Sequence, residues 1–122
     1  MTFKQFLRSA LTDASIKNLC NGVFYLKKPE SYKADAWIQY FIISEKQEDY
    51  CGDKALSTTY KIQVSLFSKG DTDLVMDVVR KSLEKNGFRF VDSLENYETD
   101  TQLYHNAVRY KIKKMKGEIL NG

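Results

Sequence analysis

The chain is poor in the residues that most often carry chemistry or a covalent frame. It has one histidine, two cysteines, one proline and one tryptophan in 122 residues. The lone histidine, His105, has no serine or cysteine beside it in a nucleophile motif and cannot hold a metal without carboxylate or thiolate help, so it reads as an ordinary strand residue. Cys20 and Cys51 lack the Cys-x-x-Cys spacing of a metal or redox site and read as small apolar residues. No apolar run approaches the roughly 20 residues of a membrane helix. The opening Met1-Thr2-Phe3-Lys4-Gln5-Phe6 is amphipathic rather than basic and then apolar, so no secretion signal is expected. A net charge of +3 is small for a dedicated DNA binder, whose cations would be more numerous and clustered. No two carboxylates are placed by the sequence as an acid/base couple. The chain is therefore read as neither an enzyme nor a cofactor protein.

What is present is a strong local pattern from Tyr60 to Phe90. Tyr60, Ile62, Val64 and Leu66 alternate with Lys61, Gln63 and Ser65, the period of a strand with one buried face. Gly70 breaks the strand, Asp71 is placed to cap a helix with its carboxylate, and Asp73 adds negative charge at the helix's positive end. Leu74, Val75, Val78, Val79 and Leu83 form the predicted apolar stripe. Asn86-Gly87 ends the helix, with Phe88 expected to fold back onto Leu83. A strand follows, which makes this stretch a strand-helix-strand unit.

The remainder completes one domain of ordinary size. Thr2 caps a first helix whose buried face is Phe3, Phe6, Leu7, Ala10 and Leu11. Ile16 to Leu19 is a further turn, Val23 to Leu26 a short strand, and Lys28 to Lys33, with Pro29, a loop. Ala36 to Ser44 is nearly all apolar and aromatic, so a strand covered on both sides is expected, by a helix on one face and another subunit on the other. Glu45 to Ser57 is polar and reads as a long loop or an extended hairpin arm. Phe88 to Glu98 is a strand that leads into an acidic patch of Asp92, Glu95, Glu98 and Asp100. Leu103 to Ile112 is the last strand, with Tyr104, Val108, Tyr110 and Ile112 on its apolar side. Residues 113–122 are read as a basic, frayed tail.

Three features invite functional readings and have plainer ones beside them. Ser68-Lys69-Gly70-Asp71 precedes a helix as a phosphate loop does, but lacks the repeated glycines and the Gly-Lys-Ser/Thr pairing, so it reads as a tight turn. The acidic loop from Glu45 to Asp53 does not match the spacing of a calcium loop and reads as solvated or partner-facing. Arg109, Lys111, Lys113, Lys114 and Lys116 form a basic run that suits either contact with a polyanion or protection of an edge strand by lysines. Eight tyrosines and seven phenylalanines are many for this length and suit subunit interfaces.

The run Tyr60 to Asp71, the helix ending Asn86-Gly87-Phe88-Arg89 and the segment Asn96 to Tyr110 together resemble small proteins of tailed-phage and prophage structural modules from Gram-positive hosts. These are the tail terminator and tail-completion, or minor capsid and head-tail joining, group. The resemblance covers the last half of the chain by sequence and the first half by layout. It implies an α+β fold, with a mixed, mostly antiparallel sheet of about four to five strands and the N-terminal and central helices packed on one face. It also implies a ring, usually a hexamer, that caps the tail tube, docks the head connector and lets DNA pass through its channel without sequence-specific binding. Residence in the virion, after assembly in the host cytoplasm and away from membranes, follows from it. A ring subunit needs two different surfaces that close by rotation. Trp37, Gln39, Phe41, Ile43, Glu45, Asp49 and Asp53 are the expected subunit and partner contacts. Arg109, Lys111, Lys113, Lys114 and Lys116 are the residues expected to face the channel or another polyanion. A head-completion or minor capsid neck protein is the nearest alternative role, and a small nucleic-acid-binding module or a small ligand-binding enzyme are more distant ones.

Overall fold

Thr2 starts helix α1 (Phe3–Leu11) with a capping box. Its hydroxyl accepts from the Gln5 amide at 3.2 Å, and the Gln5 side chain accepts from the Thr2 amide at 2.8 Å, which satisfies two donors the helix cannot. The buried face is the expected one, Phe3, Phe6, Leu7, Ala10 and Leu11. Asp13 caps the short α2 (Ala14–Lys17) through the Ser15 amide, and Ile16 enters the core. The computed structural model describes residues 1–116; residues 117–122, the end of the expected basic tail, lie outside the described residues.

The sheet has five strands in the order β1-β2-β3-β5-β4. Strand β1 (Val23–Tyr25) runs parallel to β2 (Ala36–Cys51), and β2 forms a hairpin with β3 (Lys54–Ser68). Strand β5 (Leu103–Met115) lies between β3 and β4 (Arg89–Glu98), antiparallel to both. Strands β3 and β4 are therefore parallel to each other with β5 between them, and α3 (Asp73–Lys85) makes the crossover. The fold is α+β with a mixed, mostly antiparallel sheet, as expected. One face of the sheet supplies Ile38, Tyr40, Ile62, Val64, Leu66, Val108, Tyr110 and Ile112 to a core shared with all three helices. The Ser82 hydroxyl of α3 donates to the Ala10 carbonyl of α1 at 2.7 Å within that core.

The C-terminal end of α3 follows the sequence; at the other end Thr72, not Asp71, takes the N-cap position and makes no side-chain cap bond, and Asp71 helps from one residue before it. The Asp71 carboxylate accepts from the Asp73 amide at 2.9 Å. Gly87 takes a left-handed φ of 95°, and the Phe88 amide donates to the Leu83 carbonyl at 3.0 Å. The stripe is rotated from the expected one. Met76, Val79, Ser82 and Leu83 are buried, Val75 and Val78 flank them, and Leu74 is 61% exposed. Leu74 lies two residues from Met76, nearly half a turn round the axis, so the two cannot share a face.

The stretch from Glu45 to Ser57 is an extended arm. Strands β2 and β3 pair from Ala36↔Ser68 out to Cys51↔Lys54, and Gly52 turns the chain at φ 66°. Strand β5 accompanies them as far as Met115, opposite Ser57. Lys113, Lys114 and Met115, expected in a frayed tail, are thus sheet residues. Two bulges interrupt the ladders. Ile43 is the extra residue between Ile42 and Ser44 in β2, and Val91 the extra residue between Phe90 and Asp92 in β4. Both adjoin a single row, Ile42–Ile62–Tyr110–Phe90, that runs across four strands.

Candidate assembly surfaces

Among the described residues, only one face of the sheet is covered by helices. The other presents Trp37, Phe67 and His105 side by side, because Trp37↔Phe67 and Phe67↔His105 are register partners. Their rings stack at 5.3 and 4.3 Å between centroids, each at 15°. The Lys28 ammonium sits 4.9 Å from the Trp37 ring, and the indole N–H donates to Gln39 Oε1 at 2.8 Å. The Gln39 amide in turn donates to the Leu26 carbonyl at 3.0 Å. Phe41 continues this face beside Gln63 and Arg109. Trp37, Gln39 and Phe41 are half-buried. The strand expected to be covered on both sides is covered on one within a single chain.

The Ile43 bulge divides the expected contact residues. Before it, odd-numbered residues of β2 face away from the helices; beyond it the parity reverses, and Glu45 stands opposite Tyr60 on the helix side. Burial, and then the nearby Glu45 carboxylate, push the Tyr60 hydroxyl above its ordinary pKa. Ile43 itself is 40% exposed. Asp49 takes a left-handed φ of 55°, and its carboxylate accepts from the Ser57 hydroxyl at 2.6 Å and pairs with the Lys113 ammonium. These two contacts, Lys113 first, hold the Asp49 carboxyl below its usual range, and the same pairing raises Lys113. Asp53 is exposed in the turn of the arm. The seven residues therefore form three groups: an aromatic face, the arm's helix side and the arm's tip.

The basic run is divided as well. Arg109, Lys111 and Lys113 face away from the helices, while Lys114 turns to the helix side, 4.7 Å from the Phe6 ring. Lys116 follows the strand, its amide donating to the Leu56 carbonyl at 2.6 Å. Arg109 lies 3.9 Å from the Asp92 carboxylate and donates to Gln63 Oε1 at 3.3 Å. The register sets Lys61, Lys111 and Arg89 in one cross-strand row, where like charges repel. Lys61 and Arg89 were not singled out by the sequence reading. Alternation places Lys61 on that face, but the pairing of β5 with both β3 and β4 is non-local and leaves no local signal.

The architecture is shared with a solved virion. A chain in the structure titled "Virion of native gene transfer agent (GTA) particle" superposes with a TM-score of 0.65 at 10% sequence identity, over 91% of this chain and 92% of that one. At that identity the likeness is one of fold. No family model matches the sequence, and no curated protein matches it.

Other features of the fold bear on contacts with partners. Strand β4 is exposed along nearly its whole length, with Phe90, Leu94 and Tyr97 at 40%, 70% and 48% exposure. Among the described residues it is the last strand in the order, and its outer edge has no partner strand. Phe90 is partly shielded by the Arg80 guanidinium, 4.4 Å from its ring. Cys20 is buried and Cys51 exposed near the arm's turn. Among the described residues, no three His, Cys, Asp or Glu side chains gather as they would around a metal ion.

Proposed function

We propose that this chain is a structural assembly protein of a tailed phage or prophage, and within that class a tail terminator. Copies form a ring, in this reading a hexamer, that caps the tail tube and joins it to the head connector. The observation that carries the reading is the end-to-end correspondence of fold with a chain of a gene transfer agent virion. The likeness runs over 91% of this chain and 92% of that one. Fold does not fix function by itself, so the surfaces matter too. An aromatic sheet face without a helix over it, an open edge strand and a three-stranded arm are features that a subunit buries against neighbours.

The row Lys61–Lys111–Arg89 favours one detail of this reading. Three like charges side by side on a sheet cost stability in isolation, and a polyanion passing along that face offsets the cost. In the ring, this row of cations lines the channel for DNA, with contacts to the backbone and none to base edges, while the aromatic end of the same face packs against a neighbour. The protein then resides in the virion neck, after assembly in the host cytoplasm. A head-completion or minor capsid neck role uses the same surfaces and differs in the particle that carries the protein.

Light scattering at high protein concentration and electron microscopy with purified tail tubes test the reading. The expected result is a ring, free or formed on the tube end, that blocks further tube growth. A protein that neither associates nor touches tube ends refutes it. Recovery on filled heads, with none on tails, moves the assignment to head completion.

A further inference from the structure

The helix side of the sheet ends in two patches of opposite character. At the arm, a groove of about 490 Å³ is lined by Lys54, Lys114 and Lys116 around a floor that includes Tyr60 and Met115, with no carboxylate among its described lining residues. At the far end, Tyr97 and Tyr104 pair at 4.9 Å between centroids, each 48% exposed. Asp71, Asp73 and Glu95 stand around Tyr104, with Lys69 the cation among them. The register steps from Ser68↔Tyr104 to Ser57↔Met115, so at about 3.4 Å per residue the patches lie roughly 37 Å apart along β5. Behind the acidic end, Asn106 is 6% exposed. Its side-chain amide donates to Thr72 and Glu95 at 3.4 Å each, and its Oδ1 has no hydrogen-bond partner in the structure.

We infer that these patches are the two halves of one head-to-tail contact between copies, in which the acidic, tyrosine-bearing corner of one copy packs against the lysine-rimmed patch under the arm of the next. The partner is a second copy because the charges match: Lys54 and Lys116 rim one patch, and Asp71, Asp73 and Glu95 line the other. Both centres are apolar or aromatic and both rims are charged, the arrangement of a specific interface. The two patches differ, so the contact is heterologous, and repetition closes a ring or extends a filament. This rests on the ring reading above and names the surfaces that make the ring.

The test uses two double variants of the full chain at exposed sites: Lys54→Gln/Lys116→Gln in the groove, and Asp73→Asn/Glu95→Gln at the corner. Association is followed by sedimentation equilibrium at low and high salt, with thermal melts to establish that each variant is folded. Wild type is expected to associate, less at high salt. Each double variant is expected to weaken association by about tenfold or more. An equimolar mixture of the two is expected to restore one contact only and yield a capped species of about twice 14.2 kDa. Folded variants that associate like wild type overturn the inference and leave the ring reading standing. A wild-type chain that stays monomeric throughout also overturns it, while tube capping judges the ring reading separately. A mixture that gains nothing over its components refutes the pairing of these two patches.

Discussion

Removal of the Phe3 ring tests how the helical layer holds the root of the arm. Phe3 stacks on Tyr60 at 3.6 Å between centroids, 4° from parallel, and touches Phe6 and Phe88 at 6.1 Å. Tyr60 in turn stands opposite Glu45, at the start of the arm. A phenylalanine buries roughly 150–250 Å², which at about 25 cal/mol per Å² sets an upper limit of roughly 4–6 kcal/mol. Phe→Ala changes cost about 3–5 kcal/mol in cores. Phe3 is 7% exposed and begins the first helix, where the chain can settle into part of the space. The expected loss for Phe3→Ala is therefore about 3 kcal/mol, or roughly 10 °C in Tm for a domain of this size. Phe3→Leu keeps most of the apolar area and loses the stack, for about 1 kcal/mol. Urea and thermal denaturation give the stability, and hydrogen exchange gives the local effect. Amides of residues 44–49 and 57–61 should exchange faster in Phe3→Ala, ahead of the core strands. A loss below about 1 kcal/mol, or arm amides unchanged while the core loosens, refutes the clamp.

Three further outcomes follow from particular contacts. Asp49 has a lowered pKa, so its pairing supports the arm fully above the unfolded value of 3.8 and is lost as pH falls through the folded value; protection factors of arm amides, corrected for the intrinsic pH dependence of exchange, should fall with acid in wild type and already be low and flat across that window in Asp49→Asn. The partner Lys113 is raised, so the same pairing holds below 10.5 and fades as pH climbs through its folded pKa. Burial pushes the Tyr110 hydroxyl up to about 12, so the unfolded chain ionises first and stability falls between about pH 10 and 12, by about 3 kcal/mol; alkaline melts of Tyr110→Phe should show a shallower decline. Gly87→Ala forces a side chain onto φ 95° and sets its Cβ 3.3 Å from Ile112 Cδ1, for an expected cost of about 1–2 kcal/mol in urea denaturation.

The parts of the fold that the sequence made legible are those whose signals are local. The cap at Thr2, the stripe behind it and the Asn86-Gly87 stop each lie within a few residues of the structure they specify. Leu74 misled because an apolar residue in the first turn looks like the start of a stripe, and only the packing of Met76 on the sheet fixes the helix's rotation. The arm left its nature open because its strands meet water on both faces and carry no alternation of apolar with polar. Its strand character comes from pairing alone. The same holds for Lys113 to Met115, where a lysine run hides a ladder with Ser57 to Thr59. The expected contact residues from Trp37 to Glu45 all stand at odd positions, and one inserted residue at Ile43 sends Glu45 to the opposite face from Trp37, Gln39 and Phe41. Asp49 and Lys113 were assigned to separate surfaces and turn out to hold each other, since only the non-local pairing of β3 with β5 brings them together.

The two bulges beside the row Ile42–Ile62–Tyr110–Phe90 stand at the same height in the strands that flank the central pair. A bulge inserts a residue where a strand can bend and twist more strongly, so the row is a score line across the sheet, drawn where body gives way to arm. Beyond it the arm is built from β2, β3 and β5, and of the two inserted residues only Ile43 lies in an arm strand. The place where the arm can be aimed is thus one residue in a paired strand, rather than a length of loop.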